Sequence, residues 1–454
     1  MMISMTSIAL VAVSATFTVK THLDNCVGPP PADSLREEIA KANGTPGHDT
    51  IVFSGLSQAR IVICNCLPAT KDSITIDGEF TMGGTTTLVE IDGSALTTSM
   101  CNAMFETDSG ATGLTIQNMV FDGASNADIR AIDADGVVNF TLEDIEIFGF
   151  EGAPMLIEGM NIVSQAILRR LDVHGNETEN TPIQINAPFT EFGDSQVINN
   201  VATDADDALT PNVAGGALRI SDDPTDFAQI YRSDFSSNEA DDGGALWTSV
   251  ETNITQCSFR DNVAYDRGGA VHASGTAVRF VNPYIARNEA DLGGAIWANL
   301  RDVVVAYGTV VDNVVIDPLS ALIVADDVSI GGSILDNGFN SSCQSSGTLA
   351  TDDSVVTDDS SGMGTTNSCV TGSSTNVLFS TTSGLDFDSG GDDPASSGSA
   401  KNWLLPIEST SDAKDHVVPS GGACPAAGAN VSVDAESDSR PGSGDCDAGS
   451  DEQS

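Results

Sequence analysis

The sequence predicts an all-β solenoid, a parallel β-helix, and three observations predict it. The first is self-similarity at a fixed step. Leu114–Gly123 aligns over Phe140–Gly149, and that over Ala166–Gly175, at steps of 26 residues. Asn238, Asn262, Asn288, Asn313 and Asn337 recur at steps of 24, 26, 25 and 24, and the pairs Gly243-Gly244, Gly268-Gly269 and Gly293-Gly294 at steps of 25. The second is that the runs inside each unit are short, alternating and bounded by Gly, Asn or Asp, as in Ile74–Asp77, Ala245–Thr248, Ala270–Ala273 and Ala295–Ala298. Such runs read as short strands, and a unit with two or three of them closes one coil of a stack with a ~4.8 Å step. The third is that aromatics make up only 5% of 454 residues, which suits a narrow aliphatic interior and not a thick core. Helical repeats are longer and need apolar spacing of three and four, which these units lack.

In chain order, residues 1–15 are apolar and end in Val13-Ser14-Ala15, a small-residue cleavage site with no Lys or Arg before it. The segment reads either as a signal peptide or as a first buried strand. Residues 16–78 form an N-terminal cap. Within it, Asp33–Ala42 is the one helical pattern, with Leu35, Ile39 and Ala42 on one face and Asp33 or Ser34 placed to cap it. A helix there covers the first open coil, whose edge would otherwise pair with other chains. Residues 79–340 carry the repeats. The interval from Asn200 to Asn238 exceeds one coil by 12 residues, so an insertion holding Asp204, Asp206 and Asp207 is expected to protrude as a loop. From 341 to 454 the pattern decays into Ser, Thr, Gly and Asp. No stretch after the N-terminus approaches the ~18 apolar residues of a membrane span.

Charge excludes two classes of partner. With 65 Asp and Glu against 18 Lys and Arg the net charge is −47, the wrong sign for neutralising phosphates or an anionic membrane surface. Only Lys20, Lys41, Lys71, Lys401 and Lys414 are lysines, so the surface is a nearly unipolar anionic skin. Self-repulsion of that size is tolerable in a saline or cation-rich exterior. Its purpose is either solubility or cation binding. The nine cysteines form no metal signature, because Cys64-Asn65-Cys66 is too closely spaced and lacks a second pair. In an exported chain, Cys343 with Cys369 and Cys424 with Cys446 are reasonable disulfides, though connectivity stays open.

Candidate site residues follow from the stacking. The asparagines Asn238, Asn262, Asn288, Asn313 and Asn337 would form a side-chain amide ladder that satisfies itself from coil to coil. Each Gly-Gly pair permits positive φ or close backbone approach at a corner. Trp247 and Trp297 lie 25 residues either side of His272, so the three share a face: outward they can stack on sugar rings, inward they are core. Asp241, Asp266 and Asp291 precede the glycine pairs, and stacked coils would set these carboxylates in a repulsive column that calcium could bridge or solvent could screen. No HExxH, GxSxG or P-loop occurs. The histidines are too scattered for a metal triad.

Three local patterns carry a family resemblance. Phe17-Thr18-Val19, Ser34–Ala40, Asn43–Phe53 and Ile74–Gly78 resemble the CSLREA domain that opens many secreted bacterial β-helix proteins, with Asp33 standing where that family's name puts a cysteine. Phe235–Asn238 with Gly243–Leu246, and Phe259–Asn262 with Gly268–Val271, resemble the FxxN and GGA repeats of polymorphic outer membrane proteins; Ile285 replaces the Phe before Asn288. The tail Asp438–Pro441 with Cys446–Gly449 is similar, more loosely, to choice-of-anchor Q regions. The resemblance implies a right-handed parallel β-helix of the pectin-lyase-like kind, exported and displayed at the cell surface or released. The expectation is a monomeric, non-catalytic structural or adhesin-type protein that meets a surface glycan or a cell-surface protein, with calcium as its one candidate cofactor. The alternative is a polysaccharide lyase or hydrolase on the same scaffold.

Overall fold

The computed structural model is a parallel β-helix. It describes residues 14–357 apart from short gaps, the longest 203–214, and strand fragments at 378–379, 424–426 and 429–431. Residues 1–13 of the expected signal peptide, the ladder position Asn337, the insertion acids Asp204, Asp206 and Asp207, Cys369 and Cys446 lie outside the described residues, as does most of 341–454.

One coil shows how the chain closes. Leu246–Thr248 is followed by Glu251–Thr255, Ser258–Arg260 and Val263–Arg267, and Gly268-Gly269 lead into the next coil at Val271–Ala273. Each strand pairs in parallel with its equivalent one coil on, as in Leu246 with Val271, Thr252 with Val278, Phe259 with Ile285 and Ala264 with Ala290. Stacking yields a ten-stranded sheet, a six-stranded sheet and a 24-stranded sheet whose strands come as consecutive pairs within most coils. The ten-stranded sheet runs from Ala103–Glu106 to Cys343–Ser345 and so counts about ten turns. The aligned segments of the sequence meet in register, Leu114 beside Phe140 and Phe140 beside Ala166.

Alternation places the core. In the column Val197, Phe235, Phe259, Ile285, Val310 and Leu335 every side chain is buried, and the Phe235 and Phe259 rings stack at 5.1 Å. Ile285 takes the Phe position without leaving the file. The bend between the paired strands of the large sheet is left-handed in coil after coil, from Asn118 (φ 57°) through Asp144, Arg170, Asp194 and Arg232 to Tyr307 (φ 54°). A left-handed residue other than glycine costs roughly 1–2 kcal/mol. Two such costs are offset by ion pairs down the stack: Arg170 donates Nε to Asp144 at 2.6 Å, and Arg232 donates Nε to Asp194 at 2.6 Å.

The helix Leu35–Ala42 packs on Thr16–Val19 and Asp49–Phe53, burying Leu35, Ile39 and Ala42 over the first coil. Ser34 is the N-cap, its Oγ accepting from Glu37 N at 3.3 Å. Among the described residues, no helix is long and apolar enough to cross a membrane. Cys66 and Cys101 form a disulfide that closes 35 residues, Cys64 and Cys343 are also disulfide-bonded, and Cys257 is free and buried. Chain-entropy arithmetic for such a loop gives about 4 kcal/mol. A Cys66→Ala/Cys101→Ala variant is therefore expected to lose about that much in urea unfolding; a loss below about 1 kcal/mol would mean that the cap holds this loop without the bond.

Candidate functional site: an outward aromatic track

The outer face of the ten-stranded sheet carries Trp247, His272 and Trp297. In Leu246–Thr248 the outer residues are buried and Trp247 between them is half-buried, and the same alternation holds for Ile296–Ala298 around Trp297. Parity therefore turns both indoles outward. Parallel register sets Arg219, Trp247, His272 and Trp297 in one file, one coil apart, or ~4.8 Å per step. The Arg219 guanidinium lies 5.0 Å from the Trp247 ring centre, the Trp247 and His272 rings meet edge-to-face at 6.3 Å, and the Arg267 guanidinium lies 5.9 Å from the Trp297 ring.

His272 is only 4% exposed although it points outward, because the two indoles flank it in register. Its Nδ1 lies 3.3 Å from Asp242 Oδ1. Arg219 Nε and Trp297 Nε1 are buried and make no hydrogen bond, while Asp242 Oδ1 and His272 Nδ1 face each other. Buried polar atoms are normally satisfied, so the Arg219 and Trp297 orphans are unusual positions beneath the outward rings. The track offers two π faces, two cations and an indole donor.

The asparagines make a different structure. Asn238 donates Nδ2 to Asn262 Oδ1 at 3.1 Å, Asn262 to Asn288 at 2.9 Å and Asn288 to Asn313 at 2.9 Å. Each Oδ1 also accepts the preceding backbone N–H, at 3.0 to 3.1 Å in these three steps. The ladder extends to residues the periodicity did not single out: Asn176 donates to Asn200 at 2.8 Å and Asn200 to Asn238 at 3.0 Å. All six are buried, leaving no face for a ligand.

Asp241, Asp266 and Asp291 stand on the outer side of the six-stranded sheet, where its register jumps between Ala240 and Asp242 and again between Ala264 and Arg267. Asp266 feels the charges of Asp242 and Asp291 and pairs with Arg267 at 2.9 Å. Among the described residues, the acids whose ligand atoms gather within 4.8 Å are Asp33, Glu37 and Glu38 at the start of the capping helix. Lys20 pairs with Asp33, and Lys41 with Glu37 and Glu38.

Burial moves five carboxyls the same way. Burial raises Glu90, Asp133, Asp172 and Asp266, and it pushes Asp234, beside Arg260 in the interior, up to about 6. Between the unfolded value near 4 and the raised folded value, the folded chain binds more protons than the unfolded chain. These groups therefore favour the fold most at low pH, and their contribution is lost as pH rises through that window. Urea midpoints in dilute buffer are expected to fall from pH 4.5 to pH 7; a midpoint that rises over this range would contradict the assignment.

The chain matches no protein-family model, no curated protein and no solved structure.

Proposed function

We propose that the protein is an exported β-helical rod of the adhesin type that holds a surface glycan against the Arg219, Trp247, His272 and Trp297 track. The observation that carries this reading is the file of outward aromatic rings with unsatisfied polar atoms beside them, since sugar rings present apolar faces for stacking and hydroxyls for the orphans. The disulfides and the unipolar acidic surface support an oxidising, saline exterior. The resemblance to CSLREA and polymorphic outer membrane proteins supports display at a cell surface.

The test is a glycan array followed by titration of the hits. A Trp247→Ala/Trp297→Ala variant should weaken binding at least tenfold while its circular dichroism still reports an intact β-fold. Retained affinity in that variant would remove the track from the function.

One observation favours the second reading, a polysaccharide lyase or hydrolase. Asp242 and His272 pair beside the indoles, and Asp266, its carboxyl raised by burial, feels the charges of both. Incubation with acidic and neutral glycans would then release ultraviolet-absorbing products or new reducing ends.

A further inference from the structure

A second surface, on the large sheet and away from the track, carries its own set of groups. An open cleft of about 510 Å³ spans four coils, from Arg169 and Arg170 to Thr255 and Gln256. Its lining holds three arginines, Arg169, Arg170 and Arg232, against two carboxylates, Glu191 and Asp194. Glu143 and Asp144 also hold Arg170, so the cluster sets three guanidinium groups among four carboxylates, close to balance in a chain of net charge −47.

Each arginine is anchored by a carboxylate. Arg170 places Nε and Nη2 on Asp144, Arg232 places Nε and Nη2 on Asp194, and Arg169 donates Nε to Glu191 at 3.0 Å. The Nη1 groups of Arg170 and Arg232 make no hydrogen bond to any described residue. Two fixed guanidinium groups thus keep a donor in hand. Tyr231 crosses the opening to donate to Glu191 at 2.5 Å, and it can do so because Gly193 lacks a side chain: a Cβ there would lie 2.8 Å from Tyr231 Cδ2. Gln229, Gln256 and Thr255 add groups that both donate and accept.

From this we infer that the cleft is a binding site for an acidic saccharide, a uronic acid residue whose carboxylate meets the arginines and whose hydroxyls meet the amides and Glu191. Fixed guanidinium donors suit a carboxylate. An acidic peptide side chain needs donors alone, whereas the cleft pairs donors with acceptors, as hydroxyls require. The site stands apart from the aromatic track and does not rest on it.

The surrounding charge gives the site a signature. Repulsion from the rod acts at long range and is screened over ~30 Å at 0.01 M salt but ~10 Å at 0.1 M, while contacts inside the cleft are screened less. Affinity should therefore rise between those two salt concentrations.

The experiment is calorimetric titration of the full chain with a uronic acid tetrasaccharide, its carboxyl-reduced counterpart of the same linkage, and tetraglutamate. The expected result is binding of the first at least tenfold tighter than either other ligand, strengthened from 0.01 to 0.1 M salt. Arg170→Met/Arg232→Met should lose at least tenfold, and Gln229→Ala, which alters an exposed side chain of the lining, several-fold. Trp247→Ala/Trp297→Ala should bind like the parent, which separates failure of this site from failure of the track. Equal affinity for the reduced sugar or for tetraglutamate would overturn the proposal, as would no binding of the uronic acid tetrasaccharide at millimolar concentration.

Discussion

Asn262→Ala is expected to cost about 3–5 kcal/mol, several times what a typical single substitution does. The side chain makes four hydrogen bonds: Nδ2 donates to Phe235 O at 3.0 Å and to Asn288 Oδ1 at 2.9 Å, and Oδ1 accepts from Asn238 N at 3.0 Å and Asn238 Nδ2 at 3.1 Å. Truncation leaves Asn238 N–H and Phe235 C=O buried without these partners, and each orphan costs roughly 1–3 kcal/mol. Asp in its place accepts but cannot donate, and it adds a buried charge, so Asn262→Asp should be no better at neutral pH. Because a solenoid is held by nearest-neighbour coils, the loss should be local. Hydrogen exchange should speed up across residues 235–290 while the capping helix keeps its protection. A urea-derived loss below 1 kcal/mol would show that the ladder is ornamental to the stack.

Why the fold was legible and the sites only partly so is visible in these same residues. A coil of fixed length converts stacking into sequence period, so the strands, the glycine corners and the ladder from Asn238 to Asn313 could be read directly. Asn176 and Asn200 belong to the same ladder; the step of 38 residues from Asn200 to Asn238 reads as one coil plus an insertion, but the uneven rhythm kept the two out of the expected ladder. The same step hid the cleft, where Glu191 meets Tyr231 across 40 residues. Whether Trp247 faced inward or out could not be decided from a four-residue run, whose alternation has two parities; only the buried Leu246 and Thr248 settle it. The bends held by Asp144, Arg170, Asp194 and Arg232 left no trace either, because Arg has no preference for left-handed backbone and earns its place through the Asp one coil away. The spacing of Asp241, Asp266 and Asp291 was read correctly as a repeat, but not the pairing of Asp266 with Arg267.

Gly269→Ala is the other substitution expected to be severe, at about 3 kcal/mol, and its cause differs from that of its neighbour. The first glycine of each pair needs positive φ: Gly243, Gly268 and Gly293 lie between +63° and +67°. The second has no such φ. A Cβ on Gly269 would strike Gly294 O of the next coil and lie 2.8 Å from Glu289 N and O. These are backbone atoms of an adjacent coil, pinned by bonds such as Gly269 N to Gly293 O at 3.1 Å, so they cannot yield as a side chain would. One methyl group must push two coils apart along a stack whose step is set by every other hydrogen bond. Gly175 supplies the contrast: its φ is +61°, but nothing lies within 4 Å of a Cβ there, and the equivalent positions in later coils are Asn199 and Asp261 with φ of 55° and 54°. Gly175→Asn should therefore change stability by no more than about 0.5 kcal/mol. Measured side by side in urea, the two substitutions separate a glycine required by its neighbours from one that its own backbone merely permits; similar losses in both would refute the cross-coil explanation.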